Sequence, residues 1–190
     1  MKIDVLHVGF LGTNCYIVTD KNKIGAVIDP GEEGDKIIRF IEKNGIDCRF
    51  VLLTHGHFDH VGALKEVLSA TGAKLVASSA DSENEMTPDI EAVEGLVVKV
   101  GDMDFKVLST PGHSKDSVCY LTEEALFSGD TLFFESIGRT DFPGGDFGEM
   151  KKSLKKLRDM EIDDIAVYPG HGASTDLKYE RENNPFMKML

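Results

Sequence analysis

The sequence of 190 residues predicts a single α/β domain, a class that some schemes call α+β. Short apolar runs rich in β-branched residues alternate with stretches of helical periodicity in both halves, which favours one mixed core over separate modules. Turn residues separate these segments, and neither a linker nor a low-complexity tract interrupts them. Because a chain of this length can build one sizeable core, we expect one domain over residues 1–190.

The first half of the chain begins with a predicted antiparallel meander. Its third strand stops at Asp29-Pro30-Gly31, a strong breaker, and the helix that follows stops at Asn44-Gly45. The predicted elements are strands at 3–10, 14–19 and 24–29, with turn residues Gly12-Thr13-Asn14 between the first two, a helix at 34–44, a strand at 49–53, a helix at 61–70 and a strand at 74–77.

The second half repeats this mixture of strands and helices. Residues 147–160 carry Met150, Leu154 and Leu157 at helical spacing, and lysines lie between them, so we expect an amphipathic helix with a solvated basic face. The other predicted elements are strands at 96–100, 105–109, 117–122, 125–128 and 165–168 and a short polar helix near 175–183.

Charge and composition exclude several classes of partner. The 33 acidic and 21 basic residues give a net charge of −12, which repels nucleic acid and anionic membranes, so we expect neither as a partner. No apolar run approaches the length of a membrane helix, and the N-terminus lacks the pattern of a secretory signal. Cys15, Cys48 and Cys119 do not fit a disulfide framework, so we expect reduced, buried thiols and a cytoplasmic protein. A monomer and a homodimer both remain open.

The histidines carry the chemical information in this sequence. Residues 55–60 read His-Gly-His-Phe-Asp-His and directly follow a predicted buried strand. His113 and His171 each follow Pro-Gly after another apolar run, whereas His7 lies alone in the first strand and is predicted to be structural. Ligands collect beyond the carboxyl ends of strands in open α/β sheets, so this placement indicates a site.

The spacing within residues 55–60 predicts two groups of ligands. An extended chain sends residues i and i+2 to the same side, so His55 and His57 can converge on one ion. The chain must then turn into the following helix, which can direct Asp59 and His60 toward a second ion. Asp130 leaves another short buried strand through Ser-Gly, and its carboxylate is expected at the same edge.

Five imidazoles and two carboxylates suit zinc, iron or manganese. They exceed the ligands that one zinc ion takes, and they fit two ions that share a bridging carboxylate. Two ions about 3.5–4 Å apart can hold a hydroxide between them and polarise a carbonyl or phosphoryl oxygen. Their positive charge predicts a small anionic substrate despite the acidic protein. The candidate ligands are His55, His57, Asp59, His60, His113, Asp130 and His171.

These motifs resemble those of the metallo-β-lactamase-fold superfamily, and within it the glyoxalase II-like hydrolases. The resemblance covers nearly the whole chain, and it implies a four-layer αββα sandwich with two metal ions at one edge of the paired sheets. In family order, the motifs are Asp29-Pro30-Gly31, residues 55–60, Thr110-Pro111-Gly112-His113-Ser114, Ser128-Gly129-Asp130 and Pro169-Gly170-His171.

The resemblance also implies a role for each residue. It assigns His55, His57 and His113 to one ion, Asp59, His60 and His171 to the other, and Asp130 to a bridge between them. Asp29 is expected to orient ligands without binding a metal ion itself. Asp59 is expected to orient the attacking hydroxide or pass a proton, which makes Asp59 and Asp130 the expected catalytic residues.

Departures from relatives narrow the expected function. Secreted β-lactamases of this fold often carry cysteine in place of Asp130, and the nucleases of the family are longer. The chain ends about twenty residues after His171, so we expect it to lack the C-terminal helical extension with which full-length glyoxalase II grips glutathione. The resemblance therefore implies thioester hydrolysis but leaves specificity for a glutathione thioester open.

The expected function is that of a dinuclear hydrolase in which metal-bound hydroxide attacks the carbonyl of a thioester such as a hydroxyacylglutathione. Zinc is the metal expected, and iron or manganese accepts the same ligand set. Three alternatives stay open: a lactone or ester hydrolase of the same fold, a binding module that retains metal without turnover, and a persulfide dioxygenase. Relatives of the last kind hold a single iron with the equivalents of His55, His113 and Asp130.

Residues 137–146 resemble the Gly-Arg-Thr-Asp segment of short glyoxalase II-like proteins and of persulfide dioxygenases. Arg139 is the candidate for contact with an anionic substrate. Alternatively, Arg139 pairs with Asp141 or Asp146 and pins its own loop. Three aromatic residues nearby are predicted to belong to the core rather than to line a pocket: Phe133, Phe134 and Phe142.

Overall fold

The computed structural model describes residues 1–79, 87–162 and 164–190, and these form two six-stranded sheets with helices on their outer faces. The first sheet contains, in spatial order, β1 (Lys2–Val8), β2 (Thr13–Thr19), β3 (Ile24–Ile28), β4 (Asp47–Leu52), β5 (Lys74–Ala77) and β6 (Ile90–Glu91). The second contains β12 (Thr175–Asp176), β11 (Ala166–Pro169), β10 (Ala125–Gly129), β9 (Val118–Leu121), β8 (Met103–Ser109) and β7 (Val97–Val100).

The two sheets share one pattern of pairing. β1, β2 and β3 form the predicted antiparallel meander, and β3 to β6 then pair in parallel. In the second sheet, β7 to β10 pair antiparallel and β10 pairs with β11 in parallel. The helices are α1 (Gly34–Asn44), α2 (Phe58–Val61), α3 (Leu64–Thr71), α4 (Phe147–Arg158), α5 (Leu177–Asn183) and α6 (Pro185–Lys188).

Three apolar layers define the sandwich. Side chains such as Ile28, Phe105 and Phe127 fill the space between the two sheets. Ile37 of α1 packs with residues of α3 on the outer face of the first sheet, and Leu154 of α4 belongs to the layer that covers the second. Because alternating strand residues face opposite layers, each sheet buries both faces. This arrangement confirms the four-layer αββα architecture.

The helix predicted at 61–70 is two helices, and the prediction was wrong about its start. α2 begins at Phe58, inside the histidine run, and the chain breaks at Gly62-Ala63 before α3. The amide of Ala63 donates to the carbonyl oxygens of Pro30 and Gly31, each at 3.0 Å, and thus leaves the helical pattern to pack on the turn after β3. Asp59 and His60 therefore lie on a short helix rather than on a loop.

Strand ends from both sheets meet at one edge of the molecule. The parallel strands β3 and β4 point their carboxyl ends there, and so do β10 and β11 of the other sheet. Two main-chain hydrogen bonds join the sheets at this edge, from the amide of Val118 to Thr54 and from the amide of Asn14 to Gly170, each at 2.8 Å. Among the described helices, none has the length and apolar character needed to cross a membrane.

Candidate metal centre

All seven predicted ligands converge at this edge, in two groups. In the first group, His55, His57 and His113 bring one ring nitrogen each to within 4.8 Å of one another. The shortest approach is 2.8 Å, between Nδ1 of His57 and Nε2 of His113. His55 and His57 lie in the loop between β4 and α2, and His113 lies in the loop between β8 and β9, so two separate segments build this group.

The second group consists of Asp59, His60 and His171, whose ligand atoms also lie within 4.8 Å of one another. Nε2 of His171 is 3.1 Å from Oδ2 of Asp59 and 3.3 Å from Nε2 of His60. Asp59 and His60 come from α2, and His171 follows β11 of the other sheet. The turn into α2 thus separates these residues from His55 and His57, as the sequence spacing predicts.

Asp130 lies between the two groups. One of its carboxylate oxygens, Oδ2, is 3.4 Å from Nε2 of His113 in the first group and 3.7 Å from Nε2 of His171 in the second. The other, Oδ1, is 3.5 Å from Nε2 of His60. A single carboxylate therefore faces ligands of both groups, which is the arrangement that a bridging ligand needs.

Hydrogen bonds behind the imidazoles decide which ring nitrogen faces the centre. Nδ1 of His113 donates to the carbonyl of Arg139 at 2.7 Å, and Nδ1 of His60 donates to Asp29 at 2.9 Å. Nδ1 of His55 lies 3.0 Å from the hydroxyl of Thr54. Nε2 of these three rings is left for the centre, whereas Nδ1 of His57 faces it. Such partners fix the tautomer and orientation of metal-binding imidazoles.

Asp29 organises this layer of support. Its two carboxylate oxygens accept from the amide of Thr54 at 2.8 Å, the hydroxyl of Thr54 at 2.6 Å and Nδ1 of His60. Asp29 is 2% exposed and has a φ of 51°, a backbone conformation that aspartate tolerates better than most residues. It also lies close enough to His55 and His60 to be a ligand. These hydrogen bonds hold the side chains of Thr54 and His60 in position.

Two buried atoms of the centre test whether metal ions fit there. Nε2 of His55 and Oδ1 of Asp130 have no hydrogen-bond partner among the described residues. Leaving such atoms unpartnered in the interior is costly, and a coordinated cation satisfies both. The donor set of imidazole nitrogens and carboxylate oxygens also suits zinc, iron and manganese. The residues therefore fit a pair of divalent ions.

The two groups differ in their electrostatic environment. Burial lowers the pKa of His55 well below its ordinary value, and the neighbouring rings of His60 and His113 lower it further, so this imidazole is neutral and ready to coordinate. Burial also works to lower the pKa of His60, but the carboxylates of Asp29, Asp130 and Asp59 outweigh it and raise that pKa to about 9. The second group is thus a strongly negative environment that favours a cation.

Asp59 is ionised in this environment. Burial alone works to raise the pKa of its carboxyl, but the hydrogen bond from His171 and the charge of His60 outweigh it and hold that pKa far below its usual range. The hydroxyl of Thr13 donates to the same carboxylate at 3.1 Å. Asp59 can therefore act as an acceptor of hydrogen bonds and as a ligand near neutral pH.

A cavity of about 740 Å³ opens onto the centre. Arg139 lies on its lining, but Nε and Nη2 of its guanidinium donate to the carboxylate of Asp141 at 2.7 and 2.8 Å. The guanidinium also lies 3.7 Å from the centroid of the Phe142 ring. Of the two interpretations of Arg139, the structure shows the pairing with Asp141 that pins the loop.

The prediction that Phe133, Phe134 and Phe142 belong to the core was wrong. Phe134 and Phe142 are exposed, and Phe133 is partly buried. Phe133 and Phe142 line the cavity, while Phe134 stacks on Tyr179 outside it. The loop after β10 turns these rings outward, so their hydrophobicity alone did not identify their location.

Sequence reasoning missed the residues that hold the ligands from behind. Thr54 bonds both Asp29 and His55, and its position at the end of an apolar strand was the available signal. Asn14, which was predicted at the junction of a turn and a strand, lies in β2, and its side chain donates to the carbonyls of Pro169 and Gly172. The hydroxyl of Tyr16 donates to Pro169 at 2.6 Å. These contacts join distant parts of the sequence, which no local pattern indicates.

The αββα sandwich and the paired ligand groups define a class of metal-binding enzyme. The chain belongs to the Metallo-beta-lactamase superfamily, whose family model matches residues 8–171. It is 33% identical to the hydroxyacylglutathione hydrolase GloC of Haemophilus influenzae, with 98% of each chain covered.

Solved structures agree with this assignment. ETHE1 from Myxococcus xanthus matches with a TM-score of 0.88 and 30% identity over 97% of this chain and 84% of its own. TTHA1623, solved in a di-iron-bound form, matches with a TM-score of 0.85 and 32% identity over 96% of this chain and 99% of its own.

Proposed function

We propose that the protein is a dinuclear metal-dependent hydrolase that cleaves thioesters. One observation carries the proposal: two complete groups of ligand atoms with Asp130 between them, at the end of an open cavity. Similarity to a hydroxyacylglutathione hydrolase supports the thioester as substrate, because that name describes an acyl group on the sulfur of glutathione.

When bound, two divalent ions supply a Lewis acid for the carbonyl oxygen and lower the pKa of water into the neutral range. In the proposed assignment, His55, His57 and His113 hold one ion, Asp59, His60 and His171 hold the other, and Asp130 contacts both. Zinc is the first choice of metal, and similarity to a di-iron protein keeps iron in the same test.

Side chains that line the cavity orient the water that attacks the substrate. Asp59 is ionised, and we assign to it the orientation of the attacking water by accepting its hydrogen bond. Hydrolysis adds the oxygen of one water to the acyl carbon and breaks the carbon–sulfur bond. The sulfur leaves with the electron pair as a thiolate, and the products are a carboxylic acid and a thiol.

Metal analysis paired with a thioester assay tests this function. Protein purified without added metal should contain up to two metal ions per chain, and it should release thiol from acylated glutathione or from another acylated thiol. Full metal loading with no thiol release from any member of a thioester panel would contradict the proposal. Lactones and carboxylic esters belong in the same panel, because the same chemistry cleaves them.

A persulfide dioxygenase is the second candidate, and the similarity to ETHE1 favours it. That function needs one iron, for which His55, His113 and Asp130 are the proposed ligands. Asp59, His60 and His171 do not separate the two functions, because relatives of both kinds carry the same histidine run. Oxygen consumption by iron-loaded protein with glutathione persulfide decides between the two, and its absence removes the dioxygenase.

A further inference from the structure

The cavity has two chemically different walls. One wall consists of the side chains assigned to the metal ions. Other lining residues are apolar, and we refer to them together as the apolar wall: Leu11, Phe58, Phe133, Phe142 and Pro143. Phe58 is 71% exposed, Leu11 is 50% exposed and Phe142 is 42% exposed. Apolar side chains this exposed beside a polar centre mark a surface that a ligand covers.

The apolar wall comes from three separate segments. Leu11 belongs to the hairpin between β1 and β2, Phe58 begins α2, and Phe133 and Phe142 lie in the connection between β10 and α4. The ring of Phe142 lies 6.0 Å from the ring of His57, edge to face, and the ring of Phe133 lies 6.2 Å from that of His171. Aromatic surface is therefore present beside both ligand groups.

The described lining of the cavity offers no unpaired lysine or arginine to a charged substrate. Arg139 is the one lysine or arginine on its lining within the described part of the chain, and Asp141 engages two of its nitrogens. A substrate carboxylate would have to compete with that bidentate pair. The same guanidinium lies against the ring of Phe142, so the pair also holds this ring in position.

We propose that this wall binds an apolar acyl group, so that the preferred substrates are thioesters of aliphatic or aromatic acids on a carrier thiol without recognised charge. The inference rests on the proposed thioester hydrolysis and adds the class of substrate. We expect a glutathione thioester of a small polar acid to be a poor substrate by comparison. The carboxylates of glutathione find no unpaired lysine or arginine on the described lining.

The test compares acyl groups on one neutral thiol. The metal-loaded protein is assayed with acetyl, butyryl, hexanoyl and phenylacetyl thioesters of N-acetylcysteamine and with S-lactoylglutathione. We expect kcat/KM to rise roughly three- to fourfold for each methylene group that enters the cavity, and the phenylacetyl thioester to exceed the glutathione thioester.

Two substitutions place the effect on the apolar wall. Phe142→Ala should flatten the dependence on acyl length, and Phe142→Leu should restore most of it because the side chain stays apolar. Phe134→Ala is the matched control, since this ring has similar exposure, lies in the same connection and stacks on Tyr179 outside the cavity. Phe134→Ala should show the same dependence of kcat/KM on acyl length as the wild-type protein. Metal content and circular dichroism establish that each variant is folded.

The outcomes separate the two levels of the proposal. Release of thiol from none of the thioesters overturns the hydrolase function itself. Release with no dependence on acyl length, or with S-lactoylglutathione as the best substrate, overturns the apolar wall and leaves the hydrolase function intact. A dependence on acyl length that Phe142→Ala leaves unchanged also overturns it.

Discussion

The two sides of the cavity are held in place by different means. Behind the side chains assigned to the metal ions, buried hydrogen bonds hold the ligands in place. Asp29 alone accepts three of these hydrogen bonds. At the apolar wall, partly exposed aromatic rings form the surface, next to an exposed ion pair between Arg139 and Asp141. Buried networks of this kind are rigid and intolerant of change, while exposed pairs contribute little to stability. The difference teaches that the residues assigned to bind metal are held more rigidly than the residues proposed to bind the substrate.

Removing the shared carboxylate should have the largest effect. Asp130→Ala deletes the group that faces both sets of ligands, so we expect kcat/KM for thioesters to fall about a thousandfold or more and metal content to drop. Elemental analysis and a thiol-release assay measure both. Asp35→Ala, which removes an exposed carboxylate on α1, is the control and should change neither. Near-normal turnover in Asp130→Ala would show that no bridge is needed.

Adding a side chain at Gly170, next to Asp130 and His60, should have the next largest effect. A Cβ atom at Gly170 would lie 2.3 Å from Oδ1 of Asp130 and 2.7 Å from Cε1 of His60, so these side chains must move. Because small displacements of reacting groups are costly, Gly170→Ala should lower kcat/KM about a hundredfold. Gly172→Ala is the matched control, since its Cβ meets nothing within 4 Å although φ is +76°. It should cost some stability but retain metal, and equal losses in both variants would argue against a crowded centre.

Weakening the support behind the ligands should have an intermediate effect. Asp29→Asn keeps the size and the tolerance for a positive φ but replaces one accepting oxygen with a donor. We expect metal affinity to fall about ten- to a hundredfold, measured by competition with a chelator. Asp29→Ala also loses the polar side chain that favours this backbone, and it should unfold more easily as well. Unchanged metal affinity in Asp29→Asn would remove the orienting role.

Disturbing the apolar wall should have the smallest effect. Asp141→Asn weakens the pair with Arg139, so we expect no measurable change in the midpoint of thermal unfolding because the pair is exposed. KM for an apolar thioester should rise about twofold, since Phe142 loses part of its support. Lys99→Met breaks the exposed pair with Asp104 far from the cavity and should leave KM unchanged. A large loss of stability in Asp141→Asn would place this side of the cavity among the rigid parts.

The sequence predicted the ligands better than it predicted their surroundings. His55, Asp130 and His171 each lie within three residues of the end of an apolar strand, and that local signal suffices because strand ends gather at one edge. The two-residue strands β6 and β12 were missed because they exist only through pairing with a neighbour. Tyr16 and Phe142 were also beyond prediction. Hydrophobicity alone did not show that the hydroxyl of Tyr16 donates to the carbonyl of Pro169 or that the ring of Phe142 faces the cavity.

Several expectations from the sequence stay predictions. The fold and the superfamily are confirmed, and the three cysteines are free and buried as expected. The roles of the individual ligands, the identity of the metal, the single domain, the cytoplasmic location and the small anionic substrate remain predictions from the sequence. The apolar wall makes the last of these the first to examine, because the one arginine on the described lining is paired with Asp141.

A main-chain oxygen links the ligand His113 to the segment that carries Arg139 and Phe142. Nδ1 of His113 donates to the carbonyl oxygen of Arg139, and every amino acid at that position supplies the same oxygen. Mutations that replace the side chains of residues 139–143 can therefore accumulate without removing the bond that orients His113. Related chains can differ in the side chains of this segment and still hold His113 in the same orientation.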